Sequence, residues 1–240
     1  MEKRGYKGKL TKKPKNPIIL EGFPGFGLVA TITTGFLIDH LKCEKIGSYW
    51  FEDSEPIAAI HKNELVDQIG VFYNKKNNII ILNSIANPVG KEWTAADLIL
   101  NLAKELQAKE IISTEGVGGG GKTEGFYYAD TEKNKKKLEQ AGIQGLGEGI
   151  IVGVTGALLL KRKENKTPIT CLFATTQTQM PDSKAAAKII EILDKYLGLN
   201  VDYKPLLKQA EIFEAKLKDL LTKQEKIKAE QKEKEISYVG

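Results

Sequence analysis

The stretch Pro17-Ile-Ile-Leu-Glu-Gly-Phe-Pro-Gly-Phe-Gly-Leu-Val29 decides the fold class of this 240-residue chain. Pro17–Glu21 has the apolar run of a short buried strand, and the next six residues combine three glycines with a proline. Beyond this turn, apolar residues recur at helical spacing as far as Leu41. A strand, a glycine turn and a helix form the beginning of an α/β unit, so the segment predicts an α/β fold.

The rest of the chain continues this alternation as far as residue 200. Further strands are predicted at residues 46–51, 57–61, 66–73, 78–84, 111–114, 126–129 and 169–175. Further helices are predicted from Thr94, where Asp97 completes a capping box, from Thr131, within 149–160, and from Asp182 to Leu197 with Gly198 at the C′ position. We therefore expect a mixed, mostly parallel sheet between helical layers.

The composition of the chain limits the classes of function that it can have. The chain is 41% hydrophobic, which is enough for a sizeable core. Its net charge of +5 is concentrated in residues 1–15, where seven side chains are basic. We expect a solvated, poorly ordered basic tail at 1–15 rather than a nucleic-acid or lipid contact. The α/β domain is then expected at 16–202 and a C-terminal arm at 203–240.

The cysteines and the apolar runs indicate the cellular compartment in which the protein is expected. Cys43 and Cys171 are too few for a disulfide framework, which suits a reducing environment. No secretory signal is visible at the N-terminus, and the longest apolar run, 149–160, is too short to span a bilayer. We expect a cytoplasmic protein that binds neither membrane nor nucleic acid.

The C-terminal arm has its own pattern. Apolar side chains follow a heptad seam that suits helix pairing, chiefly Leu206, Phe213, Leu217 and Leu220. Nine of the fourteen residues in 222–235 are charged, so that stretch is expected to project into water. A fully helical arm would reach roughly 50 Å. The chain becomes apolar again at Ile236-Ser-Tyr-Val-Gly240, which predicts a recognition tip at Ile236, Tyr238, Val239 and Gly240.

Two glycine motifs invite a nucleotide interpretation. Gly116-Val-Gly-Gly-Gly-Gly-Lys-Thr123 matches the P-loop pattern, but a working P-loop needs a helix at its Lys-Thr. Here Glu124, another glycine and three aromatics follow, which predict a turn and a strand. Gly22–Gly27 carries the dinucleotide spacing in reverse and is interpreted as a tight turn. A loop is the favoured interpretation of both motifs.

Catalytic candidates are few. Neither His40 nor His61 has a metal ligand at suitable spacing, and no serine-nucleophile elbow is present. Glu115, at a predicted strand end beside the glycine loop, is the most site-like carboxylate and stands alone in the sequence. The sequence therefore predicts no catalytic residues, no metal and no cofactor.

Several of these segments, taken in order, resemble the proteasome assembly chaperone family in its archaeal form. The resemblance covers roughly residues 16 to 200. It is carried by the segments Gly22-Phe-Pro-Gly-Phe-Gly-Leu-Val-Ala30, Glu115-Gly-Val-Gly-Gly119, Gly149-Ile-Ile-Val-Gly-Val-Thr-Gly-Ala-Leu-Leu159 and Ala174-Thr-Thr176 with Pro181-Asp182.

The resemblance implies a three-layer α/β/α sandwich similar to phosphorylase- or hydrolase-like domains, without an established catalytic site. It also implies a homo-oligomer, such as a tetramer, whose C-terminal segments dock on α subunits of the proteasome core. Proteasome-binding tails typically end in hydrophobic–tyrosine–any residue. Here Tyr238 is third from the end and Ser237 precedes it, so the tail is a variant of that pattern.

Two hypotheses follow from these observations. The first is a non-enzymatic assembly chaperone or activator-like adaptor that docks its tail on the proteasome. The alternative is a nucleoside- or nucleotide-directed enzyme of the phosphorylase or hydrolase type, using the loops around Gly27, Glu115 and Gly156, or a P-loop-type nucleotide binder.

Overall fold

A computed structural model of the protein describes most of the α/β region. The described residues are 5–54, 56, 58–61, 63–119, 121–164, 166–176, 180–205 and 207–208. The chain divides into two compact units, Met1–Val201 and Asp202–Gly240. The predicted helix-pairing and tip residues of the second unit, Leu206, Phe213, Leu217, Leu220, Ile236, Tyr238, Val239 and Gly240, lie outside the described residues.

The first unit has a mixed α/β fold with a large central sheet and, within the described residues, five α-helices. The strands are β1 (Tyr6–Leu10), β2 (Ile18–Gly22), β3 (Glu44–Phe51), β4 (Ala59–His61), β5 (Glu64–Val66), β6 (Ile69–Asn74), β7 (Ile79–Ser84), β8 (Glu110–Gly118), β9 (Gly125–Ala129), β10 (Gln144–Gly145) and β11 (Ile169–Thr176). The helices are α1 (Val29–His40), α2 (Glu92–Leu106), α3 (Glu132–Gln140), α4 (Gly153–Lys161) and α5 (Ser183–Leu197).

Nine strands form one sheet in the order β1-β3-β6-β7-β2-β8-β11-β9-β10, and β4 and β5 form a separate hairpin. The strands β7, β2, β8 and β11 are parallel neighbours, as is the pair β9 and β10. The other four pairs are antiparallel. The expectation of a mostly parallel sheet was therefore wrong, because turns as short as the one between β6 and β7 can only join antiparallel strands.

The central parallel strands are covered on both faces. Alternate residues such as Ile19 and Ile111 pack into one core cluster with apolar side chains of α2 and α4. Their neighbours Leu20 and Ile112 are equally buried but belong to no part of that cluster. Helices α1 and α5 contact each other and the same central strands, whereas α2 contacts α4. Burial on both faces explains why these strands are nearly continuous apolar runs.

The N-terminal segment differs from the expected disordered tail. Tyr6–Leu10 forms edge strand β1, which pairs antiparallel with β3. Tyr6 is buried, lies edge-on to Tyr49 with 6.0 Å between ring centroids, and accepts a hydrogen bond from Asn101 Nδ2 at 2.9 Å. Lys7 and Lys9 lie on the opposite face of the strand from Tyr6, and both are exposed. Two of the seven basic side chains in residues 1–15 therefore belong to the solvent-facing side of a strand.

Two of the three predicted helix starts are confirmed. The side chain of Thr131 accepts the backbone N–H of Asn134, and that of Asp182 accepts the N–H of Ala185. The capping box predicted at Thr94 is wrong, because α2 already begins at Glu92. At the other end of α5, Gly198 takes the left-handed conformation with φ 69°, as predicted.

A buried carboxylate joins several elements near the start of β8. Glu110 is 7% exposed, and its Oε1 accepts hydrogen bonds from Asn134 Nδ2 at 2.9 Å, Thr170 Oγ1 at 2.5 Å and Tyr196 Oη at 2.8 Å. These donors come from α3, β11 and α5. Lys137 also stabilises the charged form of Glu110 electrostatically. The network thus fixes two helices to the sheet.

Tyr196→Phe tests the contribution of this network. The substitution removes one buried donor to Glu110 without changing the ring, so we expect the free energy of unfolding to fall by about 1–2 kcal/mol. Urea unfolding followed by circular dichroism measures the change. Tyr128→Phe, at an exposed ring of strand β9, is the control and should shift stability by under about 0.5 kcal/mol. Equal effects of the two substitutions would contradict the assigned role.

Candidate functional site

A cavity of about 270 Å³ lies where neighbouring strands β2 and β8 end. After β2 the chain continues to β3, which lies towards one edge of the sheet. After β8 it continues to β9, which lies towards the opposite edge. Such a point of divergence, at the carboxyl ends of parallel strands, is where open α/β sheets bind ligands. The cavity is lined by Glu21, Phe23, Pro24, Gly25, Phe26, Glu115, Gly116, Val117, Gly118, Ile150, Ile151, Val152, Gly153 and Val154.

The loop after β2 forms one wall of this cavity. It contains a short 3₁₀ turn at Phe26–Leu28 in which Gly27 and Leu28 have positive φ values of 66° and 49°. Gly25 approaches the site most closely, because a Cβ atom there would lie 2.0 Å from Oε1 of Glu115. Contact with a carboxyl group therefore requires a glycine at position 25.

Two glutamates lie at the base of the cavity, each held by the loop. Glu21 is 1% exposed, and its Oε2 accepts the backbone N–H of Phe23 at 3.0 Å. Glu115 is half-buried, and its Oε1 accepts the backbone N–H of Phe26 at 3.1 Å. The two carboxyl groups thus position the 23–28 loop over the strand ends.

A chain of hydroxyl groups connects the two carboxyls. Ser113 Oγ donates to Glu21 Oε1 at 2.5 Å and lies 2.7 Å from Thr155 Oγ1, which lies 3.3 Å from Glu115 Oε2. These three contacts need three protons, but two hydroxyls supply only two. A proton on one of the two carboxyl groups would complete the chain. Glu21, Ser113, Thr155 and Glu115 form what we call the carboxyl chain.

The pKa values of both glutamates agree with this proton count. Burial raises the pKa of Glu21 to about 7, although hydrogen bonds from Phe23, Ser113 and Thr114 oppose the shift. Burial, followed by repulsion from Glu21, raises the pKa of Glu115 to about 8. Near neutral pH the carboxyl chain therefore holds at least one proton, and it loses its protons above pH 8.

The P-loop motif is not built as a nucleotide site. Strand β8 extends through Gly118, and strand β9 begins at Gly125, so no helix starts at Lys122. This confirms the predicted turn and strand. The backbone N–H of Glu124 bonds to Thr175 Oγ1 at 2.8 Å, which joins the loop to β11.

The structure brings together some of the sequence-predicted features and corrects one. The loops around Gly27, Glu115 and Gly156 do meet, since residues before each of the two glycines line the cavity with Glu115. The view that Glu115 stands alone was wrong, because Glu21 lies beside it. From the sequence, Glu21 is interpreted only as the last residue of a buried strand. Its signal was a carboxylate inside an apolar run, where a strand buried on both faces has no room for a solvated side chain.

Two classes of site can be assessed over the residues that the structure describes. Within these residues, no three His, Cys, Asp or Glu side chains gather closely enough to hold a metal ion. Nor is any helix in this part of the chain long and apolar enough to cross a membrane.

Comparison with known proteins gives concordant matches. The sequence profile of the PAC2 family matches residues 19–221. An uncharacterized protein of Methanocaldococcus jannaschii, MJ0106, is 28% identical over 225 residues, which cover 94% of either chain. A second uncharacterized protein of the same organism, MJ1210, is 27% identical over 243 residues, covering 94% of this chain and 93% of the relative.

Solved structures of Pyrococcus furiosus proteins share the fold. PbaA, described as an archaeal homolog of proteasome-assembly chaperone, is 32% identical with a TM-score of 0.80, covering 90% of this chain and 96% of its own. PbaB, described as an archaeal proteasome activator, is 24% identical with a TM-score of 0.76, covering 91% of this chain and 99% of its own. At that lower identity the likeness to PbaB concerns the fold alone.

The raised pKa values predict a pH-dependent stability. Both folded-state pKa values exceed the value of 4.5 for an exposed glutamate, so the folded protein retains protons that the unfolded chain has lost. The free energy of unfolding should therefore fall as pH rises from about 5 to 9. In Glu115→Gln the amide can donate to Thr155 without titrating, so this fall should shrink by at least about 2 kcal/mol.

Urea unfolding at pH 5, 7 and 9 measures this difference. Glu148→Gln, at an exposed carboxylate in the loop before α4, is the control and should follow the wild-type profile. A Glu115→Gln profile parallel to wild type would show that Glu115 does not hold the proton.

Proposed function

The chain belongs to the PAC2 family, and we propose on that basis that it is a non-enzymatic proteasome assembly chaperone or activator-like adaptor of the cytoplasm. The observation that carries the proposal is the 32% identity to PbaA over 90% of this chain. The two helix pairs, α1 with α5 and α2 with α4, support the finer assignment of a three-layer α/β/α sandwich.

The proposed partner is the α-ring of the proteasome core, contacted by Ile236, Tyr238, Val239 and Gly240. Support comes from the sequence of the arm, in which a strongly charged stretch precedes five mainly apolar residues. Pairing of arms through Leu206, Phe213, Leu217 and Leu220 would present several tips together. Such multivalency raises the effective concentration of each further tip once one has bound.

Removal of residues 236–240 tests the docking proposal. We expect the truncated protein to lose co-purification with the proteasome α-ring and to keep its oligomeric state in size-exclusion chromatography with light scattering. Tyr238→Ala should weaken binding at least about tenfold, since a buried aromatic anchor typically contributes 2 kcal/mol or more. Ser237→Ala is the matched control and should bind like wild type. Undiminished binding of the truncated protein would refute the proposal.

Truncation at two positions separates arm pairing from partner docking. A chain ending at Glu235 should keep its oligomeric state, because the seam from Leu206 to Leu220 is intact. A chain ending at Thr222 removes the charged stretch as well, so it should still pair but lose the reach of the arm. Dissociation of both truncated proteins into monomers would place assembly in the tip rather than in the seam.

A further inference from the structure

The cavity between β2 and β8 is built unlike the rest of the interior. Its walls are mainly apolar, with Phe23 and Val154 buried and Phe26 and Ile151 partly buried. The fourteen described residues that line it include two carboxyl groups but no lysine, arginine or histidine. The cavity thus has mainly apolar walls and two carboxyl groups at its floor, and no basic side chain is among the residues that line it.

Glu110 shows what a purely structural carboxylate looks like in this fold. Burial raises the pKa of Glu110, but three side chains that donate to one of its oxygens and the positive charge of Lys137 oppose this rise. In the cavity, by contrast, the hydrogen bonds to Glu21 and Glu115 come from backbone N–H groups and hydroxyls, and no basic side chain is among the residues that line the cavity. A carboxylate can accept about four hydrogen bonds, and both groups line the cavity, so a donor bound there would find acceptor capacity still unused.

Burying two such groups costs stability that apolar side chains would not cost. The loop contacts of Phe23 and Phe26 do not account for this cost, because backbone N–H groups at a strand end can also be satisfied by water or by carbonyl groups. A ligand that supplies both a positive charge and hydrogen-bond donors would meet the unused capacity.

We propose that this cavity binds a free small organic cation, an amine or amidine joined to an apolar group, with Glu21 and Glu115 as its acceptors. The positively charged nitrogen group of the ligand lies at the floor of the cavity, where its charge replaces the proton of the carboxyl chain. The apolar group contacts Phe23, Phe26 and Ile151. A volume of about 270 Å³ suits one ring with a short substituent. Ile150 and Val152, which are 92% and 74% exposed, flank the opening.

Proton release identifies this mode of binding. The titratable groups that interact with Glu21 are Glu115 on β8 and Cys171 on β11, whose thiol pKa is itself raised by burial. The 23–28 loop and the described start of α4 contribute no titratable side chain. A cation that displaces the carboxyl proton must therefore bind more tightly as pH rises from 6 to 8.

Isothermal titration with benzamidine tests the proposal on the full-length protein. Benzamidine pairs a ring with a planar cation, and neutral benzamide of nearly the same shape is the ligand control. We expect benzamidine to bind about tenfold more tightly at pH 8 than at pH 6, with proton release seen in buffers of different ionisation enthalpy. Benzamide should bind at least about tenfold more weakly than benzamidine at pH 8.

Variants assign the binding to the two carboxyls. Glu115→Gln and Glu21→Gln should each weaken benzamidine binding about tenfold or more at pH 8, whereas Glu148→Gln should not. Should a variant fail to fold, proton release in the wild-type titration still decides the matter. No binding of benzamidine, equal binding of benzamide, or binding without proton release would each overturn the proposal. The chain lacking 236–240 should bind benzamidine normally, which separates this result from proteasome docking.

Discussion

The structure depends on one constraint, the burial of strand β2 on both faces between two parallel neighbours. Because β2 pairs with both β7 and β8, neither of its edges is open, and the chain must cross over the sheet between β2 and β3 and between β7 and β8. The crossover from β2 to β3 contains α1, and the crossover from β7 to β8 contains α2. The same topology places the ends of β2 and β8 side by side, with their connections diverging, and so creates the cavity.

Glu21 and Glu115 are the point at which this architecture departs from a simple apolar core. Glu21 lies next to the last residue of β2 and Glu115 lies within β8, each directly after a buried residue, and each accepts a backbone N–H of the 23–28 loop. The hydroxyls of Ser113 and Thr155 then couple the two carboxyls, so that neither titrates independently. Closing a loop would not require two carboxyl groups at the base of an apolar cavity without a basic side chain among its lining residues, which is why we assign the site to a ligand.

Proteasome docking and cation binding rest on different parts of the chain and on different observations. The docking proposal rests on family membership and on the sequence of the C-terminal arm. Cation binding follows from contacts within the first compact unit. A PAC2 protein with both properties would carry a small-molecule site on the body of an adaptor. Either property could exist without the other, since no residue is shared between them.

The sequence by itself determined the alternation of strands and helices, because apolar periodicity and glycine turns are local signals. Pro17–Glu21, Thr131, Asp182 and Gly198 were interpreted correctly for this reason. Tyr6–Leu10 was missed because an edge strand with outward lysines has the composition of a solvated tail, and only its pairing with β3 distinguishes the two. Glu115 was recognised, but its partnership with Glu21, Ser113 and Thr155 was decided by tertiary structure alone. Those four residues are spread over more than 130 positions, and only parallel pairing of β2 with β8 and the packing of α4 bring their oxygens within hydrogen-bonding distance.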